Sequence, residues 1–507
     1  MIKITPKVLA LALLASILIS TVTWVWLVLS QFPNSSASQV LPTALLHTFE
    51  YSELGLIAVQ AGLMGIVTVG VALVWLGDWW QDREQILRGA RVVSGEALAR
   101  RTRIKSRRRH PTQMVVAGVP IPPACETSHL LLVGSTGTGK STALDELQYA
   151  GFLRGDRFIV VDPNGHSLDR FAKPEDMVLN PFDHRSPGWC LFNEAREPYD
   201  YERLAKSVVP DSGDESSQAW HGYAQQLLAE TMRMCSQSGE ATTERLLYWS
   251  TVAPAPELAK FLAGSSASGL FEPGAEKALA STRFILSSHL APMQYIRPDG
   301  FSLRTWLESG QGSLYITWRE DMVDSLRPLI STWVDILIAS VLTLPPDHPQ
   351  PLWLVLDELA SMQRLNSLEA GLTKGRKHGL RVVAGLQSVA QLDAIYGSDA
   401  ATTLRSCFRN ILALGCANSD PETAEVISKG LGQIEIERTQ ATYNRGAGHV
   451  GKSISSQRVI ETLVMPSQLM ALPPLHGYLK FAGDYPVAAV VLERIDYPPL
   501  TLPIGEC

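Results

Sequence analysis

The sequence predicts an α/β chain built on a parallel sheet around a phosphate-binding loop, with an all-helical insertion and two N-terminal membrane helices. Three observations carry that expectation. The run Gly134-Ser135-Thr136-Gly137-Thr138-Gly139-Lys140-Ser141 fits the pattern G-x-x-x-x-G-K-[ST]. Short apolar runs recur downstream with helical stretches between several of them. Two long apolar runs near the N-terminus contain no charged residue.

The loop lies in the context its chemistry needs. His129-Leu130-Leu131-Leu132-Val133 before it reads as a short buried strand, and Thr142 to Ala150 after it are good helix formers. Strand, glycine-rich turn and helix let backbone N–H groups and a helix N-terminus surround a triphosphate. Gly134 through Ser141, with Thr142, are therefore the predicted nucleotide-binding residues. The glycines allow positive φ and close approach of phosphate. Lys140 is placed to reach the β- and γ-phosphates, and the Ser141 hydroxyl to ligate Mg²⁺.

The apolar runs cover residues 8–30 and 54–76. Each would make a helix of roughly 34 Å, enough for a hydrocarbon core of about 30 Å. The first is too long for a cleaved signal peptide, and a second follows directly. Lys3 and Lys7 precede the first run, Arg83, Arg88 and Arg91 follow the second, and residues 31–53 hold no Lys or Arg. That bias predicts both ends and the remaining domains on the cytoplasmic side. Ala61 and Gly65, four apart, are small enough for helix-on-helix packing. Residues 83–109 form a basic segment that suits either anionic lipid headgroups or nucleic-acid phosphate.

With 507 residues the chain has room for two or three domains. Its net charge of −6 restricts any nucleic-acid site to a local patch. Cys125, Cys190, Cys235, Cys407, Cys416 and Cys507 show no metal-type spacing and read as free thiols. From Met114 onward, strands are expected at 130–133, 158–161, 313–317, 352–356, 382–386 and 411–414, closing with 479–482 and 487–492. The stretch 187–296 breaks the alternation with helical patterns such as His221–Ser236 and Ala275–Leu290. The predicted organisation is a transmembrane domain at 1–80, an α/β nucleotide-binding domain at 81–186 and 297–507, and an inserted all-α domain at 187–296.

A second half of the site is expected after the strand Leu352–Leu356. Asp357 and Glu358 end it in a Walker-B pattern. Asp357 would hold Mg²⁺ with Ser141, and Glu358 would orient or polarise water. Two acids after a strand also suit a helix N-terminus; the upstream phosphate loop favours the catalytic reading. The strand 381–386 ends at Gln387-Ser388, where Gln387 could sense the γ-phosphate or fix the water. Asp162, at the end of 157–161, fits either the metal's outer shell or a turn in Asp-Pro-Asn-Gly. The basic run Lys374–Arg381 fits a solvated face, a DNA-facing loop, or an arginine reaching a neighbouring subunit.

Taken together, two N-terminal spans, the phosphate loop, the helical insertion, Leu356-Asp357-Glu358-Leu359 and Gly375–Ser388 resemble the coupling proteins of type IV secretion and bacterial conjugation. The resemblance covers essentially the whole chain, and Gly375–Ser388 is its most specific part. It implies a RecA-like motor domain with a membrane-distal all-α domain, assembled as a homo-hexamer on a central channel. It implies a DNA-dependent ATPase using ATP and Mg²⁺ at the inner membrane. The implied partners are single- and double-stranded DNA, relaxase and relaxosome proteins, inner-membrane secretion components and membrane lipids. By position, Lys140, Asp357, Glu358 and Gln387 become catalytic. Arg376 becomes an arginine finger across a subunit interface, and Trp220 a contact near the channel mouth or an ordinary core tryptophan. His166 departs from related chains, in which an acid often follows the Asp-Pro-x-Gly motif.

The alternatives are a docking receptor that uses ATP for assembly, or a related translocase with another cargo. Glu358 argues for hydrolysis over a purely structural site. The chain lacks an L-S-G-G-Q run and N-K-x-D, which disfavours ABC transporters and GTPases.

Overall fold

Alternate residues of the central strands serve two different cores. Leu131, Val133, Ile159, Val161, Leu354 and Leu356 belong to one apolar cluster, and Leu130, Leu132, Phe158, Val160, Trp353 and Val355 to another. A sheet buried on both faces is what near-continuous apolar strands require. The computed structural model describes residues 6–33, 35–48, 50–80, 85–104, 113–346, 350–446 and 449–500. They divide into two compact units, Met1–Gly89 with Ile434–Glu461, and Ala90–Gln433 with Thr462–Cys507.

In the first unit, helices α1 (Pro6–Gln31), α2 (Ala37–Leu46) and α3 (Ser52–Trp80) follow one another. Ala12–Gln31 and Ser52–Ala72 are long and apolar enough to cross a membrane. Ala61 is buried between them, and a Cβ on Gly65 would lie 2.2 Å from Ser20 Oγ and 2.8 Å from the Ser16 carbonyl of α1. Small residues there let the two backbones approach. A three-stranded sheet completes the unit, in the order β1 (Gln85–Gly89), β12 (Gln433–Gly446), β13 (His449–Thr462). β1 runs antiparallel to β12, and Arg88 pairs with Glu435 across them. The sequence reading placed no strand at 433–462. Of the basic segment, residues 83, 84 and 105–109 lie outside the described residues.

The second unit holds β2 (Val92–Ser94), a small ribbon of β3 (Val115–Val116) and β4 (Val119–Pro120), β5 (Leu130–Val133), β6 (Arg157–Pro163) and β7 (Met177–Leu179). Then come β8 (Leu314–Trp318), β9 (Leu352–Leu356), β10 (Leu380–Leu386), β11 (Asn410–Ala413), β14 (His476–Lys480) and β15 (Val487–Val491). Ten of these form one sheet, β2-β15-β14-β11-β5-β10-β9-β6-β8-β7. Only β14 runs against the rest. The expected α/β class holds, with β2 and β7 as additional edge strands.

Between β7 and β8 the chain is helical, with Asp200–Val208, Glu215–Gln237 and Glu276–Leu290 as its larger elements. These helices share one continuous core with the sheet, through Leu204, Leu227, Leu286 and the helix Val323–Val341. Polar stitches fix that contact. Asp335, fully buried on Val323–Val341, accepts hydrogen bonds from Ser207 Oγ (2.6 Å), the Ser367 N–H (2.6 Å) and Ser367 Oγ (3.1 Å). It thereby ties the helical insertion to the start of the helix Leu368–Lys374.

Replacing Asp335 with Ala leaves these donors without an acceptor in a dry interior. Denaturant unfolding of the full chain in detergent, followed by tryptophan fluorescence, should show a loss of about 3 kcal/mol.

Candidate nucleotide site

Three parallel strands end side by side and build the site. β10 lies between β5 and β9, with Leu386 level with Val133 and Ala384 level with Leu356. The residues that follow, Gly134, Gln387 and Asp357-Glu358, therefore emerge at one edge. This is the carboxyl edge of a parallel sheet, where ligands bind in open α/β folds.

The phosphate loop runs from Gly134 to Gly139, and Lys140 opens the helix Lys140–Arg154. Gly139 has φ 117°, a left-handed conformation that a side chain would strain. The loop is tied down through Ser135, whose N–H and hydroxyl both donate to the Gly415 carbonyl (2.8 and 3.1 Å). Thr138 Oγ1 donates to the Ser135 carbonyl at 2.7 Å. Lys140 is buried and curls back, donating to the Gly134 carbonyl at 2.6 Å. Burial lowers its pKa, and Glu358 and Asp357 oppose that shift.

Ser141 Oγ donates to Asp357 Oδ2 at 3.4 Å, which brings the two expected metal ligands together. One hydroxyl and one carboxylate suit Mg²⁺, an ion that keeps several waters and takes phosphate oxygens. Thr136 Oγ1 donates to Gln387 Oε1 at 3.1 Å, so Gln387 is held against the loop. Burial raises the pKa of Asp357 and of Glu358. The Gln387 side chain lies close enough to Glu358 to oppose that rise. Yet neither Glu358 carboxylate oxygen makes a hydrogen bond of good geometry among the described residues. A carboxylate withdrawn from solvent beside a lysine and a second acid is fitted to receive a ligand's water or proton.

Asp162 is buried at the end of β6 and accepts from the Leu168 N–H at 2.8 Å, where it braces the turn into the helix His166–Phe171. It also lines a cavity of about 290 Å³ with Ser141, Asp357 and His166. His166, where an acid was expected by resemblance, has Nε2 3.4 Å from Asp145 Oδ2. That contact raises its pKa above the usual histidine value, and Arg170 holds the same Asp145 oxygen at 2.5 Å. Sequence reasoning missed Asp145, because its role depends on contacts 21 and 25 residues away.

Two expected residues lie elsewhere. Arg376 is exposed on the turn Gly375–His378, which precedes β10. It therefore lies at the amino edge of the sheet, opposite the phosphate loop. Trp220 is 38% exposed on Glu215–Gln237, with its ring 5.9 Å from that of Tyr223 and nearly perpendicular to it. It is not an enclosed core side chain.

Comparison with known proteins gives consistent matches. A family model described as the type IV secretion-system coupling protein DNA-binding domain matches residues 113–493. The coupling protein TraD of Escherichia coli strain K12 is 28% identical over 397 residues, 75% of this chain and 54% of TraD. The conjugal transfer protein TraG of Rhizobium radiobacter is 30% identical over 155 residues, 30% of this chain and 24% of TraG. This chain thus spans about half the length of TraD or less of such relatives. The solved bacterial conjugative coupling protein TrwBdeltaN70 is 45% identical with a TM-score of 0.77, covering 83% of this chain and 97% of that one. Plasmid coupling protein TrwB, solved in complex with ADP and Mg²⁺, matches equally at 45% and 0.77, over 84% of this chain and 98% of that one.

The buried Asp162 gives the site a pH signature. Burial pushes its pKa up to about 7 from an ordinary 3.8. Its protonated form therefore contributes stability that is present at low pH and lost as pH rises toward 7. The denaturant midpoint of the native chain, relative to Asp162→Asn, should fall between pH 4 and pH 7 and level off above. A constant difference would show that Asp162 is ionised throughout.

Proposed function

The chain belongs to the type IV secretion-system coupling protein family, and from that premise we propose that it is an inner-membrane DNA-dependent ATPase. In this reading it links a relaxase–DNA complex to a secretion channel and drives single-stranded DNA transfer during conjugation. The observation that carries the reading is the convergence of Lys140, the Ser141–Asp357 pair and the desolvated Glu358 at one sheet edge. TrwB, a relative of the same fold, has been solved with ADP and Mg²⁺ and with the non-hydrolysable ATP analogue ADPNP.

The chemistry follows from the groups present. The Lys140 ammonium exchanges its Gly134 carbonyl for phosphate oxygens, and the exposed N–H groups of the loop and helix start take the rest. Ser141 and Asp357 would hold Mg²⁺, which would supply positive charge to offset that of the phosphates. Glu358, with its pKa raised by burial, is the base that orients the attacking water. Gln387, bonded to Thr136 of the loop, registers whether the γ-phosphate is in place.

Arg376 completes the site only in an assembly. Seven residues of β10 separate it from the loop edge, a span of about 20 Å. Within one subunit it reaches no phosphate, so its role requires a neighbour, in keeping with a homo-hexamer. The helices α1 and α3 anchor the assembly in the inner membrane, and the flanking basic residues favour cytoplasmic termini. The helical segment 187–296 would meet DNA, relaxase and relaxosome proteins.

Lys140→Ala should reduce single-stranded-DNA-stimulated ATP hydrolysis by about 10²-fold or more and abolish DNA transfer, with membrane insertion retained. Stimulation in the native chain should fade with added salt. Transfer at the native level by the variant would overturn the motor and leave a docking receptor.

Arg376→Ala should lose about 10³-fold in hydrolysis. Mixing it with Lys140→Ala subunits should restore a fraction of the activity, because native half-sites then meet across some interfaces. Normal hydrolysis by Arg376→Ala alone would remove the finger assignment.

A further inference from the structure

The chain that follows Glu358 is fastened at successive points to the helical insertion. Ser361 folds the turn Leu359–Ser361 back on the acid, its N–H and Oγ donating to the Glu358 carbonyl (3.2 and 2.8 Å). The Gln363 N–H donates to Ser331 Oγ of the helix Val323–Val341 at 2.9 Å. The Gln363 side chain lies close enough to the buried His289, on the helix Glu276–Leu290, to oppose the fall in pKa that burial causes there. Asn366 then reaches the insertion with both ends of its amide. Its Nδ2 donates to the Lys206 carbonyl at 3.0 Å, and its Oδ1 accepts from the Asp211 N–H at 3.2 Å. Ser367, next in the chain, meets Asp335 and through it Ser207.

On the insertion's side, the loop that Asn366 grips is itself bonded to a long helix. His221 Nδ1 lies 2.6 Å from the Pro210 carbonyl. Gln225 Nε2 donates to the Val209 carbonyl at 2.9 Å and to Asp211 Oδ1 at 3.0 Å. Gln218 Nε2 donates to the same Asp211 oxygen at 3.3 Å. All three side chains belong to Glu215–Gln237, the helix on which Trp220 and Tyr223 are 38% and 41% exposed. A run of hydrogen bonds therefore leads from the backbone of Glu358, through residues 359–367 and the loop at Asp211, to an outward face of the insertion. Hydrogen-bond networks joined to rigid helices are the kind of element that carries coupling between distant sites.

We propose that residues 359–367 are a joint through which single-stranded DNA on the insertion sets the position of Glu358, and through which bound nucleotide sets the insertion's grip on DNA. Asn366 acts in it as a positioning residue, through the backbone that leads back to Glu358. Coupling between two binding sites is reciprocal, so nucleotide and DNA change each other's affinity by one common factor. This proposal rests on reading the chain as a DNA-dependent ATPase.

The test follows binding of a fluorescein-labelled single-stranded oligonucleotide to the full chain in detergent, by anisotropy, with and without ADPNP and Mg²⁺. In the native chain ADPNP should change DNA affinity by about fivefold or more. Asn366→Ala should bring that factor below about twofold. DNA affinity without nucleotide, basal ATP hydrolysis and the denaturant midpoint should stay as in the native chain, since water can replace the exposed bond to Lys206. If the midpoint falls instead, Asp211→Ala decides. It frees Gln218 and Gln225 from the loop, keeps the backbone bond to Asn366, and should lower the factor as well. A native-sized factor in both variants would overturn the proposal. So would a native chain that binds DNA and nucleotide independently, an outcome that leaves the nucleotide site intact. A native chain that binds no DNA overturns the DNA-dependent reading first, and the joint with it.

Discussion

The parallel pairing of β5, β10 and β9 is the constraint on which the site depends. β10 is clamped between two strands whose following residues carry the phosphate loop and the acidic pair. The contact is close enough that a Cβ on Gly385 would fall 1.8 Å from the Asp357 carbonyl oxygen. No side chain fits there without forcing β9 and β10 apart. Asp357 would move with β9, away from Ser141. The glycine in Arg381–Leu386 is thus a spacing element that keeps Asp357 beside Ser141.

Charge in this edge is balanced by placement and not by solvent. Lys140 is buried, which disfavours its ammonium, and two acids offset that cost. Those acids are themselves partly desolvated and shifted upward. Each group's ionisation therefore depends on the others. Adding a polyanion with its counter-cation supplies partners to both signs at once. The Glu358 carboxylate makes no hydrogen bond of good geometry among the described residues, though the Gln387 side chain opposes its upward shift. Lys140 meanwhile donates to the Gly134 carbonyl.

Legibility in the sequence follows contact range. Gly134–Ser141 and Leu352–Glu358 were readable because loop chemistry and strand pattern are local, and the strands they imply lie where expected. Gln387 was readable as a strand-end polar residue; its bond to Thr136, 251 positions away, was not. Asp162 braces the turn that follows β6 and lines the cavity beside Asp357. Asn366 carries no motif, since its partner Asp211 lies 155 positions away. Gln433–Gly446 and His449–Thr462 alternate polar with apolar residues and so lack the buried-strand signature that marked the central sheet. They pair with each other, and β12 with β1 some 350 residues earlier in the chain.

β5 joins the two functional edges. At its carboxyl end is Gly134 and the loop. At its amino end is His129, a buried residue with φ 52° whose Nε2 lies 2.8 Å from the Leu372 carbonyl and whose Nδ1 accepts from the Val382 N–H at 3.0 Å. Burial lowers its pKa to about 4, so the ring is neutral at physiological pH and its one N–H is directed to the helix Leu368–Lys374. That helix leads straight into the turn bearing Arg376. A four-residue strand thus fixes the phosphate loop at one end and the arginine turn at the other. With the arginine acting on a neighbour, each subunit would grip its own nucleotide and complete the next one's through a single short, rigid element. A shift of the loop would then be passed to the arginine turn through β5 and the His129 contacts. A positively charged His129 could not accept the Val382 bond, so the neutrality of this ring is part of what holds that path together.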